Sequence, residues 1–472
     1  MVGRVDEQNI FRKALKSRDS ELIPVIGRRR VGKTYLIRAF FKGEIDFELV
    51  GLKDADMKQQ LLNFSFSIKN AAPKKNDVDI PETWLEAFNQ LVTLLKQKKS
   101  NKKQIVFLDE LPWLATHKSS FMTGFNYFWN SFASKNNIIV IICGSAASWM
   151  IKNVINNKGG LHNRVTKSIY LQPFTLGETA EFFRSKHISL DYYQIVQIYM
   201  VMGGIPHYLE QIENGKSAVQ NIDALCFQNN GFLRHEFENL YKALFRFPDR
   251  YEAVIRALAT KLKGLTREEI IRIVKLPNGG GVSAILTHLE QSGFISSYRP
   301  FKKKKKDMLY RLTDYYSLFY LKFIEGDSAK NKGYWHTLSQ TQSWKSWSGY
   351  AFESLCIQHV DKIKEALGIS GIYTEESSFI YKGNNQKKGT QIDMLIDRND
   401  QCINLCKMKF YNQKISLTAK TAEALKRKKD ILVSSTGTKK NIFITHISTY
   451  GLLDNKYSIG LIDNDIKIEA LF

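Results

Sequence analysis

Residues 27–34 read Gly-Arg-Arg-Arg-Val-Gly-Lys-Thr, which matches the G-x-x-x-x-G-K-[ST] pattern of a phosphate-binding loop. An apolar run over residues 21–26 precedes the loop, and residues 35–41 follow it with the pattern of a helix. The loop therefore lies between a predicted strand and a predicted helix, as the motif requires. Its glycines let the backbone curl so that successive N–H groups point at phosphate oxygens. We expect this chain to bind a nucleoside triphosphate.

The side chains of this loop have separate expected roles. Lys33 neutralises the β- and γ-phosphates, and the hydroxyl of Thr34 ligates Mg²⁺. The variable positions of such a loop usually face outward, so its three arginines either raise the positive potential near the phosphates or contact a partner. The predicted nucleotide-binding residues here are Gly27, Arg28, Arg29, Arg30, Val31, Gly32, Lys33, Thr34 and Tyr35.

A second motif lies at residues 105–110, where an apolar run ends in Asp109 and Glu110. Buried parallel strands read as unbroken apolar runs, and ligands bind at their carboxyl ends. We expect Asp109 to hold Mg²⁺ through water and Glu110 to act as the catalytic base that polarises the attacking water. Taken alone, the two acids also fit an acidic strand-to-loop corner. Together with the phosphate-binding loop, they predict an ATPase that uses ATP and Mg²⁺.

A third apolar run, at residues 138–143, is followed by Gly144 and Ser145. A polar residue at such a strand end can sense the γ-phosphate, so Ser145 is a candidate sensor. An ordinary turn at the end of a strand explains this serine equally well. Because strands alternate with helical patterns, the first half of the chain predicts an α/β fold with a parallel sheet.

These motifs resemble those of AAA+-type P-loop ATPases, and more closely those of the archaeal ATPase group that is placed near the STAND NTPases. Residues 2–7 are similar to the box that lies beside the adenine in that group. The resemblance implies that Gly3 and Arg4 belong to the nucleotide site. Read alone, this segment is a basic chain start before a helix over residues 7–16.

The resemblance also implies a helical lid that closes over the nucleotide. Residues 171–178 look like the junction between strand and lid, and residues 202–206 resemble the lid turn. The Gly-Gly-Ile-Pro in that turn also predicts the end of a helix. By the same resemblance, Arg164 is a catalytic sensor or finger arginine that offsets charge on the γ-phosphate. A solvated loop arginine is the alternative.

The composition indicates a cytoplasmic globular protein of several domains. The chain has 472 residues, of which 43% are hydrophobic and 24% charged. No apolar run approaches the ~18 residues of a membrane span, so we expect no membrane association. The start of the sequence has no apolar signal region. The five cysteines form neither a disulfide pattern nor a zinc site.

The charge balance and the middle of the chain together suggest a nucleic-acid partner. The net charge is +23, and residues 380–440 contain fourteen Lys or Arg against five Asp or Glu. A solvated surface encoded by an A/T-rich genome is the alternative. Residues 246–325 read as three helices and a β-hairpin with a lysine-rich tip, which predicts a winged helix-turn-helix. The predicted DNA contacts are Ser283, Thr287, Lys302, Lys303 and Lys304. The alternative is a winged helix that packs against the ATPase or against a partner protein.

The final region is similar to the PD-(D/E)XK nuclease-like domain found in the same ATPase group. Glu353 on a predicted helix, Asp393 on one strand and Lys409 on the next match the pattern. Position 407, where the pattern has Glu, is Lys407. A lysine removes one metal ligand and places a cation beside the metal. We therefore expect the nuclease-like fold with a degenerate site.

The sequence thus predicts four domains: an ATPase core at 1–172, a helical lid at 173–245, the winged helix at 246–325 and the nuclease-like domain at 326–472. The expected function is a nucleotide-driven switch that engages DNA through its basic C-terminal domains. Two alternatives are an active ATP-dependent nuclease and a scaffold in which ATP binding sets assembly. The partner is then DNA, another protein or a second copy of the chain.

Overall fold

The computed structural model describes the chain except for residues 73–78, 99–101, 117–118, 158, 162, 246, 278, 327–332 and 384–387. The described residues form two compact units. The first comprises Met1–Pro173 and Gln291–Gly293, and the second comprises Phe174–Glu290 and Phe294–Phe472. The first unit has one sheet and the second has three. The finer division into four domains stays a prediction. No helix in the described part of the chain is long and apolar enough to cross a membrane.

The first unit is built on a five-stranded sheet in which every paired neighbour is parallel. Its strands are β1 (Glu21–Ile26), β2 (Ile45–Val50), β3 (Gln104–Asp109), β4 (Ile138–Gly144) and β5 (Ile169–Tyr170). Their spatial order is β2-β3-β4-β1-β5. Every residue of β1, β3 and β4 is buried, as their unbroken apolar sequences predict.

The described part of this unit also contains seven helices, one 3₁₀ turn and one π turn, and all of them except the first helix lie between strands in the sequence. The helices are α1 (Val5–Lys16), α2 (Lys33–Phe40), α3 (Met57–Ala71), α4 (Trp84–Gln97), α5 (Leu111–Leu114), α6 (Phe121–Ser131) and α7 (Ala147–Met150). The 3₁₀ turn is Ala133–Lys135 and the π turn is Ile151–Ile155.

Aromatic side chains from α3, α4 and α6 pack with the sheet in one buried cluster. Trp84 meets Phe121 edge-on at 4.7 Å between ring centroids, and Phe88 stacks on Phe128 at 5.3 Å. Burying one such side chain stabilises the fold by ~1.5–3 kcal/mol. The cluster supports a sheet in which β1, β3 and β4 run parallel, and because of that direction the three loops that follow them leave the same edge.

The second unit begins with a group of helices and continues into a helix-and-hairpin region. Its helices are α8 (Leu176–Ser185), α9 (Tyr192–Met202), α10 (Pro206–Leu209), α11 (Ala218–Cys226), α12 (Glu236–Lys242), α13 (Pro248–Ala259), α14 (Arg267–Val274), α15 (Gly280–Gln291), α16 (Tyr315–Phe319), α17 (Tyr334–Leu338), α18 (Gln342–Gln358), α19 (Val360–Ala366) and α20 (Ala419–Thr436). A π turn at Tyr320–Ile324 and 3₁₀ turns at Lys305–Asp307 and Ile468–Leu471 complete the set.

The strands of the second unit form three sheets. The strands are β6 (Leu265–Thr266), β7 (Ile295–Tyr298), β8 (Leu309–Leu312), β9 (Thr374–Gly383), β10 (Lys388–Arg398), β11 (Cys402–Lys409), β12 (Ile415–Ser416), β13 (Asn441–Ser448), β14 (Leu452–Leu453) and β15 (Asn464–Lys467). The first sheet has the order β6-β8-β7, the second β15-β13-β11-β10-β9, and β12 pairs with β14. In the five-stranded sheet, β9, β10 and β11 are antiparallel, while β11, β13 and β15 are parallel.

The α/β fold class is confirmed, with a parallel P-loop sheet in the first unit and a further α/β sheet near the C-terminus. A capping box opens α14: the Thr266 side chain accepts a hydrogen bond from the backbone N–H of Glu269, and the Glu269 side chain accepts one from the backbone N–H of Thr266. The helix that begins at Tyr315 changes its geometry along its length. α16 ends at Phe319 and continues directly into the wider π turn at Tyr320–Ile324, and the next helix begins at Tyr334.

Candidate nucleotide-binding site

The phosphate-binding loop closes tightly between β1 and α2. Gly32 has a φ of 89°, a left-handed conformation that favours glycine, and it caps the N-terminus of α2. A Cβ at Gly27 would lie 2.4 Å from the carbonyl oxygen of Leu171, so only glycine fits there. The N-terminal N–H groups of α2 and the positive end of its dipole face the loop, which favours a bound phosphate.

Lys33 is buried at the base of the loop. Its Nζ donates hydrogen bonds of 2.9 Å to the carbonyl oxygens of Gly27 and Arg28. Both acceptors are neutral, so the ammonium charge is held in place by the loop and remains available to a phosphate anion. This position is the one that the sequence predicts for a lysine that neutralises phosphates.

Thr34 and Asp109, the two predicted magnesium ligands, are in direct contact. The Thr34 hydroxyl donates a 2.7 Å hydrogen bond to Oδ2 of Asp109. Asp109 is buried at the end of β3, and its Oδ1 accepts from the backbone of Glu110 at 2.9 Å. Hydroxyl and carboxylate oxygens are the ligands that Mg²⁺ prefers in proteins, so this pair fits the ion chemically.

Glu110 lies directly beside Ser145. The backbone of Glu110 is left-handed, with φ 48°, which turns its side chain toward the end of β4. Its Oε2 accepts hydrogen bonds from the Ser145 backbone at 3.1 Å and from the Ser145 hydroxyl at 3.0 Å. The structure therefore brings the expected base and the candidate sensor together in one hydrogen-bonded pair.

The N-terminal segment also reaches the loop. Gly3 and Arg4 are both left-handed, with φ near 60°. The guanidinium of Arg4 is buried and donates to the carbonyl oxygens of Gln172 at 2.7 Å and Val31 at 3.3 Å. Arg4 thus ties the N-terminal segment to Val31 in the phosphate-binding loop, while the place beside the adenine that the family resemblance implies stays a prediction.

The loop arginines differ from the expectation that all three face outward. Arg29 is exposed, Arg30 is half-buried with a φ of 71°, and Arg28 is buried. Tyr35 is 65% exposed on the outer face of α2. Arg164 is also exposed, in the loop that leads to β5.

Sequence reasoning missed Gly51, which follows β2 at the same edge of the sheet. Its backbone N–H donates to the carbonyl oxygen of Asp109 at 3.0 Å, and a Cβ at this position would lie 2.7 Å from the carbonyl oxygen of Glu110. The only local signal in the sequence was a glycine directly after Val50. Its neighbours belong to a strand more than fifty residues later in the chain.

The predicted residues of the C-terminal site are also brought together. Nζ of Lys407 lies 3.6 Å from Oε1 of Glu353 and 3.9 Å from Oδ2 of Asp393, and Lys409 follows on the same strand. Burial, then the Asp393 charge, raises the pKa of Glu353 to about 7. Among the described residues, no group of three or more His, Cys, Asp or Glu side chains could hold a metal ion.

The predicted DNA-contact residues are exposed, with different surroundings. Ser283 and Thr287 lie on the outer face of α15, where the Ser283 hydroxyl accepts from the Arg267 side chain at 3.2 Å. Lys302, Lys303 and Lys304 are exposed at the hairpin tip, but Nζ of Lys302 donates to the carbonyl oxygen of Thr436 at 2.8 Å. The adjacent Phe301 backbone donates to that of Ser378 at 2.7 Å.

The parallel sheet, the closed loop and the paired acids of the first unit define a P-loop ATPase domain. Residues 1–212 match the sequence model of a family described as an ATPase domain predominantly from Archaea. This part of the chain is thus a nucleotide-binding ATPase domain. The match covers less than half of the chain.

Two further comparisons extend over more of the sequence. An uncharacterized protein of Methanocaldococcus jannaschii is 24% identical over 404 residues, which is 85% of each chain. A Walker-type ATPase of Pyrococcus abyssi is 17% identical, with a TM-score of 0.51 over 68% of this chain and 96% of that one. The ORC2 protein of Aeropyrum pernix is 16% identical, with a TM-score of 0.44 over 69% of this chain and 93% of that one. The Pyrococcus abyssi likeness is one of fold.

Proposed function

We propose that this protein is a Mg²⁺-dependent ATPase whose nucleotide cycle acts as a switch for engaging DNA through its basic C-terminal half. The observation that carries the proposal is the 2.7 Å bond between Thr34 and Asp109, directly followed by Glu110. A hydroxyl, a carboxylate and a second acid at this spacing are the groups that phosphoryl transfer to water needs.

In this proposal, Lys33 turns from the two loop carbonyls to the β- and γ-phosphates of ATP. Thr34 and Asp109 hold Mg²⁺, which supplies charge neutralisation at the phosphate oxygens. Glu110 takes a proton from a water molecule as the water oxygen attacks the γ-phosphorus. The bond from the γ-phosphorus to the bridging oxygen breaks, and ADP leaves with that electron pair.

Ser145 is the proposed positioning residue for this step. Both of its hydrogen bonds go to Oε2 of Glu110, which leaves Oε1 to accept the proton from water. A shift of the end of β4 on binding or release of the γ-phosphate would move the Glu110 side chain with it.

Gly3 and Arg4 are proposed to line the adenine side of the nucleotide site. Arg164 is exposed in the loop that leads to β5. We propose that it acts as an arginine finger at the nucleotide site of a second copy of the chain.

The DNA part of the proposal rests on charge and exposure. The chain carries a net +23, and such an excess favours nucleic acid through counterion release. Ser283 and Thr287 are exposed on one helix, and Lys303 and Lys304 are exposed on the neighbouring hairpin. Polar side chains on a helix with lysines on a flanking hairpin suit a major groove and its phosphates.

The test is ATP turnover of the full chain with and without duplex DNA, in Mg²⁺ and then in EDTA. We expect turnover that needs Mg²⁺ and rises with DNA, and a Lys33→Ala variant that has lost both. Turnover that ignores DNA would overturn the DNA part and favour a protein partner. Unchanged turnover in Lys33→Ala would overturn the assignment of the catalytic site.

A further inference from the structure

A cleft in the second unit is lined by lysine side chains to which the function proposed above gives no role. Its volume is about 990 Å³, and five lysines and two carboxylates line it. These residues are Lys263, Lys345, Lys407, Lys409, Lys428, Glu353 and Asp393. They come from the loop after α13, from β10 and β11, and from α18 and α20, so residues far apart in sequence converge on one surface.

The two carboxylates are already engaged by two of the lysines. Lys407 lies between Glu353 and Asp393, at 3.6 and 3.9 Å, and Nζ of Lys263 lies 3.5 Å from the other oxygen of Asp393. Lys407 thus takes the place that a divalent cation would need between these acids. The arrangement suits a site that works without a metal ion.

Lys409 and Lys428 line the same cleft without an ion pair of their own to either carboxylate. Within the described residues, neither Lys409 nor Lys428 has a carboxylate within 4.0 Å. Burial and then the neighbouring Lys407 charge lower the pKa of both ammonium groups. A bound anion would relieve this repulsion, and the charged residues that line the cleft have a formal charge of +3 to attract one.

Aromatic rings lie next to these lysines. Tyr350 and Tyr411 line the cleft and are 40% and 47% exposed. Nζ of Lys263 is 5.9 Å from the centroid of the Tyr350 ring, and Nζ of Lys409 is 5.9 Å from that of Tyr411. Phe410, beside Tyr411, is held by stacking on Tyr193 at 5.0 Å and 5°. Exposed rings beside lysines are the combination that binds unpaired bases with their phosphates.

We propose that this cleft binds a single-stranded nucleic acid segment without a metal ion. Phosphates contact Lys409 and Lys428, and bases stack on Tyr350 and Tyr411. A duplex would present phosphates but no base faces to the rings. The inference shares with the proposed function the C-terminal half and the class of partner, but none of these residues belongs to the ATPase site.

The test measures anisotropy of a labelled oligothymidylate with the full chain in EDTA. The variant Lys409→Met/Lys428→Met keeps the aliphatic stems and removes two charges. We expect at least tenfold weaker binding, and a slope of log affinity against log salt that is smaller by about 1.4, for two lost phosphate contacts. The matched control, Lys420→Met/Lys426→Met, removes two exposed charges from the same α20 and should bind like the wild type.

Five further outcomes decide the proposal. Tyr411→Ala should weaken oligothymidylate binding at least fivefold, since stacking on one ring contributes about that much. The proposal of a cleft specific for single strands would be wrong if the control pair lost oligothymidylate affinity to the same extent. It would also be wrong if duplex DNA bound with equal affinity. Displacement of the oligonucleotide by millimolar inorganic phosphate would show a site for free phosphate and would also overturn it. Binding that persists in Lys33→Ala supports the cleft even where the ATPase proposal fails.

Discussion

At the scale of single residues, the ATPase site is a chain of short polar contacts. Thr34 bonds to Asp109, Asp109 bonds to the backbone of Glu110, and Glu110 bonds to Ser145. Each group thereby orients the next, and the chain joins the ends of three elements. The sequence predicts all four residue types as candidates. It does not predict the left-handed backbone of Glu110, because that conformation depends on packing against Gly51 and β4.

Asp109→Asn should lower ATP turnover about 10- to 100-fold. The amide keeps the shape of the side chain but removes the charge that holds Mg²⁺. Steady-state turnover over a range of Mg²⁺ concentrations checks this expectation. Higher Mg²⁺ should restore part of the rate. Glu44→Gln, an exposed charge removal in the same unit, is the control and should keep the full rate.

Glu110→Gln should lower turnover about 10²- to 10⁴-fold and leave ATP binding intact, because the amide cannot take the proton of the attacking water. Ser145→Ala should lower turnover only about two- to twelvefold, since the backbone hydrogen bond to Glu110 persists. Single-turnover kinetics and nucleotide titration separate the two steps. An unchanged rate in Glu110→Gln would remove this residue from the mechanism.

Glu353 should make the stability of the second unit depend on pH. Its folded pKa of about 7 exceeds the ordinary value of 4.5, because burial and the facing Asp393 outweigh Lys407, Lys263 and Lys409. The folded state then holds the proton to higher pH than the unfolded state. The stabilisation is therefore complete below about pH 4.5 and is lost as the pH rises through about 7.

The measurement is the difference in melting temperature between Glu353→Gln and the wild type. This difference should grow between about pH 5 and 8, because the amide cannot ionise. Glu423→Gln, an exposed change on α20, should show no such trend. A flat difference for Glu353→Gln would mean that the carboxylate is ionised throughout this range.

At the scale of elements, the turn between α9 and α10 shows how a short motif is constrained by distant backbone. Gly203 has a φ of 64° and ends α9, and Pro206 begins α10, as the Gly-Gly-Ile-Pro sequence predicts. The reason for the second glycine is not visible in the sequence. A Cβ on Gly204 would lie 1.9 Å from the carbonyl oxygen of Phe174, whose own N–H bonds to Gly204 at 2.6 Å.

Gly204→Ala should therefore destabilise the second unit by roughly 1–3 kcal/mol or more, because backbone must move to admit the methyl group. Gly349→Ala is the control, since its Cβ would meet nothing within 4 Å and alanine favours the interior of α18. Chemical denaturation followed by circular dichroism measures both changes. Similar stability in the two variants would contradict the close approach.

The elements that sequence patterns predict well are those whose signal is local. The apolar runs of β1, β3 and β4 and the capping box at Thr266 need only neighbouring residues. The contacts of Lys263 with Asp393 and of Lys302 with Thr436 join residues more than a hundred positions apart. Such contacts follow from tertiary packing, which no window of sequence contains.

At the scale of the whole molecule, the net charge of +23 should govern how the protein meets DNA. Stimulation of ATP turnover by DNA should fall steeply as salt rises from about 50 to 200 mM, while the DNA-independent rate changes little. Turnover measured along a salt series, with and without DNA, checks this. Stimulation that persists at high salt would indicate recognition that does not depend on phosphate contacts.

The tip of the hairpin between β7 and β8 is hydrogen bonded to other parts of the second unit. Phe301 and Lys302 are hydrogen bonded to Ser378 and Thr436, and breaking two such bonds costs about 1–3 kcal/mol. A released tip would then be populated in roughly one molecule in five to one in 150. Any ligand that requires the free tip would bind weaker by the same factor. The hairpin thus behaves as a latch, and a substitution that loosened it would raise affinity without adding a contact.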